Sequence, residues 1–166
     1  MRSGSKEEIM IKDRIGYTAL HHASSHGHLE IVKLLIKKGN LQKEDIMTIN
    51  NDGSTSLFLA SYYGHLETVK LLIENYNLQK EDILMKNKFG TTALYWACKR
   101  GHLAIVKILI ELCSKEDILL RISSIKNIYN GRSAYSVANP SIKQFFNNVF
   151  FNGAINDMIK DIMIEL

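Results

Sequence analysis

The sequence repeats itself every 37 residues, and a short fixed period points to one kind of architecture, a row of like units stacked on one another. Gly16-Tyr-Thr-Ala-Leu-His-His-Ala-Ser-Ser-His-Gly27-His-Leu recurs as Gly53-Ser-Thr-Ser-Leu-Phe-Leu-Ala-Ser-Tyr-Tyr-Gly64-His-Leu. It recurs again as Gly90-Thr-Thr-Ala-Leu-Tyr-Trp-Ala-Cys-Lys-Arg-Gly101-His-Leu. A second marker keeps the same step through Lys6-Glu-Glu-Ile9, Lys43-Glu-Asp-Ile46 and Lys80-Glu-Asp-Ile83, then returns 35 residues later as Lys115-Glu-Asp-Ile118. Gly131-Arg-Ser-Ala-Tyr-Ser-Val-Ala138 opens a degenerate fourth unit. The markers divide residues 1–166, read as a single domain, into units 6–42, 43–79 and 80–114, a degenerate capping unit 115–151, and a C-terminal amphipathic helix 153–166.

Each unit reads as two helices. The first is predicted over about Thr18 to His26, Thr55 to Tyr63 and Thr92 to Arg100. Its threonine is placed to cap orphan backbone N–H groups, and a glycine follows the last turn, where a left-handed residue stops a helix at little steric cost. The second begins as Leu29-Glu-Ile-Val-Lys-Leu-Leu-Ile36, Leu66-Glu-Thr-Val-Lys-Leu-Leu-Ile73 and Leu103-Ala-Ile-Val-Lys-Ile-Leu-Ile110, with apolar residues at helical spacing and the lysine on the wet side. Helices shorter than about 12 residues are marginal in water, so neither member of a pair hides its apolar face alone. Stacking copies gives each face a partner.

These residues resemble the ankyrin-repeat family, whose pattern is Gly-x-Thr-Pro-Leu-His-x-Ala, then Gly-His, Ile-Val and Leu-Leu. Thr18-Ala-Leu-His21, Gly27-His28, Ile31-Val32 and Leu34-Leu35 follow it closely, and the resemblance covers roughly residues 6 to 150. It implies an all-α solenoid of helix-turn-helix units with an extra C-terminal helix. The sequence also departs from the pattern. The family proline is Ala19, Ser56, Ala93 and Ala134, and the histidine after leucine survives only as His21, with Phe58 and Tyr95 in the next units. The Thr–His bond of the family is therefore expected in the first unit alone. The unit is about four residues longer than the usual ~33. The surplus at Asn40-Leu-Gln-Lys-Glu-Asp and Asn77-Leu-Gln-Lys-Glu-Asp reads as an added helical turn or a longer loop, its charges explained by a solvated turn. In the fourth unit Pro140 sits where the Gly-His turn belongs.

The resemblance further implies a function, capture of a protein partner against the hairpin tips and first helices, the concave side. Carried over by position, the partner-facing residues are Arg14, Ile15, Tyr17, His22, Ser25 and His26 in the first unit. They continue as Asn51, Asp52, Ser54, Leu59, Tyr62 and Tyr63, then Lys88, Phe89, Thr91, Trp96, Lys99 and Arg100, with Arg132 opening the fourth unit. Tyr, Trp and Arg dominate interface hot spots, and Tyr62, Tyr63, Phe89, Trp96 and Arg100 fall on adjacent units. The positive positions His22, His26, Lys88, Lys99, Arg100 and Arg132 favour an acidic or aromatic-acidic target. An alternative reading gives the same basic, aromatic face to single-stranded nucleic acid, which the net charge of +4 permits without indicating. Another makes the chain a regulatory fragment of a larger protein.

Other chemistry is thinly supported. His21, His22, His26 and His28 lie close together, but no cysteine or carboxylate nearby completes a zinc set, and His28, His65 and His102 recur at one structural position. No metal, cofactor or small-molecule substrate is expected. Cys98 and Cys113 sit in apolar helical patterns without a flanking nucleophile motif and read as core thiols. There is no phosphate loop and no nucleophile elbow, so the chain is not read as an enzyme. A composition of 46% hydrophobic and 23% charged residues is too apolar for disorder. No apolar run reaches the roughly 18 residues that span a bilayer, the start is not a secretory signal, and two cysteines make no disulfide framework. The expected place is intracellular, cytoplasmic or nuclear. At the ends, charged residues from Lys6 to Arg14 suit an edge of the stack. The segment Ala154–Leu166, with Ile155, Met158, Ile159, Ile162, Met163 and Leu166 on one helical face, is open to two readings: a cap on the last unit, or a helix that docks in a partner's groove.

Overall fold

The computed structural model describes residues 5–112 and 134–151, and these form helices and turns with no strand. The short helix α1 (Lys6–Ile9) is followed by the pair α2 (Ala19–Ser25) and α3 (Leu29–Gly39). The pattern returns as α4 (Lys43–Ile46), α5 (Ser56–Tyr63) and α6 (Leu66–Tyr76), then as α7 (Lys80–Ile83), α8 (Ala93–Arg100) and α9 (Leu103–Glu111). After the undescribed stretch come α10 (Ala134–Val137) and α11 (Pro140–Phe146), which runs into a π-helical turn at Asn147–Phe151. First helices pack on first helices, α2 on α5 and α5 on α8, and α10 continues the row against α8. Cys113, Arg132 and the C-terminal segment 153–166 lie outside the described residues.

Local chemistry sets the helix bounds. Thr18, Thr55 and Thr92 stand outside their helices as N-caps, each hydroxyl accepting from the N–H three residues on, at 3.4, 3.2 and 3.2 Å. In the first unit His21 returns the favour, its Nδ1 lying 3.1 Å from the Thr18 N–H. Phe58 and Tyr95 have no ring nitrogen, so those caps keep only the threonine half. The second helices run three residues beyond the apolar pattern and stop at Asn40 and Asn77, both left-handed with φ near 44° and 45°. Asparagine tolerates that conformation better than most residues. The surplus residues then resolve as a buried leucine, Leu41 or Leu78, and the one-turn helices α4 and α7.

The core is a set of vertical columns. Leu20, Leu57 and Leu94 are buried one above another, as are Ala23, Ala60 and Ala97, whose small side chains let first helices approach closely. Val32, Val69 and Val106 form the corresponding column of the second helices. Cys98 belongs to this interior, and burial pushes its thiol pKa up, which suits an inert core thiol.

Three bond systems tie unit to unit. At the tips, Asn51 N–H donates to the Ile15 carbonyl (3.1 Å) and Lys88 N–H to the Asp52 carbonyl (2.8 Å). Behind the first helices, His65 Nε2 lies 2.9 Å from the Ser25 carbonyl and His102 Nε2 3.2 Å from that of Tyr62. On the far side, Lys6 pairs with Asp45 and Lys43 with Asp82, each at 2.6 Å. That last ladder corrects the solvated-turn reading: Ile9, Ile46 and Ile83 are buried, and the charges bridge units. Burial acts to raise the pKa of Asp45, but the Lys6 ammonium and the Gln42 N–H outweigh it and hold the carboxyl below its usual range. In the fourth unit Asn139, not Pro140, takes the register of His102. Its amide lies over Gly101 and its Oδ1 caps α11 by accepting from Ile142 N–H at 3.0 Å, while Pro140 fills the first helical position.

Two consequences are measurable. Gly64 has φ +86°, and a Cβ there would lie 2.6 Å from the His102 ring. Gly64→Val therefore lowers unfolding stability by more than about 1 kcal/mol, read by chemical denaturation. Adding His102→Ala relieves the clash but not the strained φ, so the double variant recovers only part of the loss. Burial also lowers the pKa of His21 to about 4, against the pull of the Ser54 and Thr48 backbone. The unfolded chain takes up this proton near pH 6.5 while the folded chain does not. The stability that the neutral ring contributes is thus complete above pH 6.5 and drains as pH falls towards 4, by on the order of 2 to 3 kcal/mol. Denaturation curves at pH 7 and pH 4.5 should show this slope in the native protein and a shallower one in His21→Gln; equal slopes would contradict it.

Candidate functional site

The tips are where side chains converge. Each turn is organised by one residue at the same register, Asp13, Asn50 or Asn87. Asp13 Oδ1 accepts from Ile15 and Tyr17 N–H, Asn50 Oδ1 from Asp52 and Ser54 N–H, and Asn87 Oδ1 from Phe89 and Thr91 N–H, all between 2.8 and 3.0 Å. These are Asx turns, in which the side chain substitutes for a backbone acceptor and fixes the loop. The third tip extends into the adjoining helix: Thr91 Oγ1 donates to Asn87 Oδ1 (2.8 Å) and accepts from Trp96 Nε1 (3.0 Å). The indole is thereby locked to its tip.

A solvent-open groove with about 510 Å³ of empty space runs between the tips of the first three units and the first helices of the second and third, α5 and α8. Tyr17, Asp52, Ser54, Leu59, Tyr62, Tyr63, Phe89 and Trp96 line it, eight of the positions the sequence pointed to, together with Asn50, Phe58 and Asn87. The Tyr62 ring lies 4.7 Å from Tyr63 and 4.6 Å from Trp96, centroid to centroid. Lys99 Nζ sits 4.3 Å above the Trp96 ring and the Arg100 guanidinium 4.3 Å above that of Tyr62, where it also donates to the phenol oxygen. Both cations remain exposed. On the other side burial pushes the Tyr17 phenol pKa up; Asn50 opposes this, and Tyr63, Asp52 and Asp13 add to it. The groove is polarised, acidic towards Tyr17 and basic towards Arg100.

Other sequence-predicted positions fall elsewhere. His22 is held at the rim by Asp13, 2.8 Å from its Nε2, and that bond lowers the Asp13 pKa. Arg14, Ile15, Asn51 and Lys88 are exposed on the tips outside the lining, and His26 stacks on His28 at 5.8 Å. Ser25, Ser54 and Thr91 are buried, contrary to their reading as surface sites; the Ser25 hydroxyl donates to the His22 carbonyl, Ser54 N–H to Asn50 Oδ1, and the Thr91 hydroxyl lies between Asn87 and Trp96. Leu59 is only 6% exposed and serves as groove floor. The sequence reading passed over Asn50, Phe58 and Asn87; the Asx register three residues ahead of each tip glycine would have found the two asparagines.

A family model described as ankyrin repeats (3 copies) matches residues 3–82. A second, described as ankyrin repeats (many copies), matches residues 57–110. No curated protein matches the chain. Among the described residues no helix is long and apolar enough to cross a membrane.

Trp96 is the only tryptophan in the sequence, so its emission reports on this groove. Tyr62→Ala removes a ring in contact with the indole and the support of Arg100. The expected result is a red-shifted emission maximum and easier quenching by iodide, with a largely retained melting temperature. An unchanged spectrum would show that the two rings do not touch in solution.

Proposed function

The chain belongs to the ankyrin-repeat family, and from that premise we propose that the aromatic groove on its concave face is where a protein partner docks. Ankyrin-repeat domains are in general protein–protein interaction modules and typically non-enzymatic. The repeat division proposed with it is 6–42, 43–79, 80–114 and 115–151, followed by the helix 153–166.

One observation carries the reading: three touching rings, Tyr62, Tyr63 and Trp96, border an open groove with two exposed cations stacked on them. Aromatic rings bring large contact area with few torsions to freeze, and the stacked cations have already lost part of their freedom, so less is lost on binding. The matching partner is an acidic or aromatic-acidic segment. Its carboxylate takes remaining N–H donors of Arg100 and the Lys99 ammonium, while an apolar side chain enters between the rings above Leu59.

The test compares capture by the native protein with capture by Trp96→Ala/Arg100→Ala, using Lys37→Ala on the outer helix α3 as control. Proteins retained by the native chain should bind the double variant at least about tenfold more weakly, a loss of about 1.4 kcal/mol. Its melting temperature should stay within about 4 °C. Equal capture by the double variant would remove the groove from the binding surface. A retained species that is nucleic acid, released steeply by salt, would favour the basic-face alternative.

A further inference from the structure

The face of the stack ahead of α2 and α3 is built like the interior junctions. Ile31 is 48% exposed, while its register mates Thr68 and Ile105 are 2% and 1% exposed. Leu34 is 49% exposed, whereas Leu71 and Ile108 are partly buried against the core. Ala19 is exposed where Ser56 and Ala93 are buried. The difference between the units is what lies in front: α2 and α3 cover α5 and α6, and those cover α8 and α9. Charged residues at the start of the chain therefore do not turn this side into a water-facing edge, since the helix surface behind them stays apolar.

The polar fittings tell the same story. His65 and His102 reach back to a carbonyl of the preceding unit, while His28, at the same register, is exposed and stacks on His26. Asn51 and Lys88 donate their N–H backwards, and the Arg14 N–H has no such bond among the described residues. Asp45 and Asp82 each receive a lysine from the unit before; Glu8, at that register, binds the Ser5 N–H. Apolar surface, histidine, backbone donor and carboxylate are thus all present as the receiving half of a junction that occurs twice elsewhere in the molecule.

We infer that this leading face is a stacking interface that takes one further helix pair of the same repeat, in line with the chain and entering α1 at Ser5. The direction follows from α4 and α7, the counterparts of α1, each of which is entered from the second helix of the unit before it. A pair with the exit surface of the first or second unit meets every fitting: a carbonyl for His28, a carbonyl for the Arg14 N–H, a lysine for Glu8, and apolar side chains for Ile31 and Leu34. This inference is independent of the groove and its partner.

The experiment joins a copy of residues 43–79 directly ahead of Lys6, which keeps the register because Gln79 and Ser5 are equivalent N-caps. A second fusion uses a copy of residues 6–42. At least one fusion should gain far-UV helix signal and melt about 5 °C or more above the parent, since each junction adds a nearest-neighbour interface. Ile31→Glu should cancel most of that gain while shifting the parent by less than about 2 °C. No gain in either fusion, or a gain indifferent to Ile31→Glu, overturns the inference. So does a parent that sediments as a dimer dissociated by Ile31→Glu, because a second copy would then own this face.

Discussion

The whole stack turns on the left-handed glycine that ends each first helix. Gly64 breaks α5 by adopting φ +86°, and its missing Cβ leaves room for the His102 ring. The terminal carbonyls of a helix have no intrahelical donor, and His65 and His102 come from the next unit to one of them, that of Ser25 or Tyr62. One feature therefore stops a helix within a unit and bonds that unit to its neighbour. Local and long-range order share a cause, and agreement between levels of this kind is what lets short, individually unstable helices fold cooperatively.

This coupling also explains what the sequence made legible. The 37-residue period, the threonine caps and the glycine stops are intra-unit signals, and they predicted the helix pairs of the first three units to within a few residues. What escaped was decided between units. Ser25, Ser54 and Thr91 look like surface positions on an isolated pair and are buried in the stack. The Lys-Glu-Asp-Ile turns read as solvated for the same reason: the partner of Lys6 is Asp45, in the next copy of the same motif. A repeating sequence shows what each unit contains, but the sideways offset of the stack, which selects the contacts, is set by side-chain packing.

The groove inherits its precision from those junctions. Its aromatic residues stand on helices whose first turns are capped and whose tips are clamped by an Asx carboxamide, so little of the wall is free to relax. Eight of the carried-over positions line it because ankyrin register maps a side chain to a face reliably, whereas depth along that face does not follow from register. Leu59 is the example. Its helical position points inward to the groove, but packing among Phe58, Tyr62 and the core leaves it as floor, able to repel water and unable to reach far. In the proposed docking, contact therefore falls to the taller side chains around it, Tyr62, Tyr63 and Trp96, and to the cations they carry.

Position along the stack matters as much as composition. In a one-dimensional assembly each unit is held by its neighbours, so an end unit opens more readily than an interior one. The second unit is clasped on both sides, by His65 and Asn51 in front and by His102 and Lys88 behind. It also supplies Asp52, Leu59, Tyr62 and Tyr63 to the groove, while the first and third units each add one wall. The centre of the groove is thus built on a unit held from both sides. Fraying at either end of the stack leaves that centre in place, and a ligand bridging the tips would in turn oppose the fraying, because it contacts all three units at once.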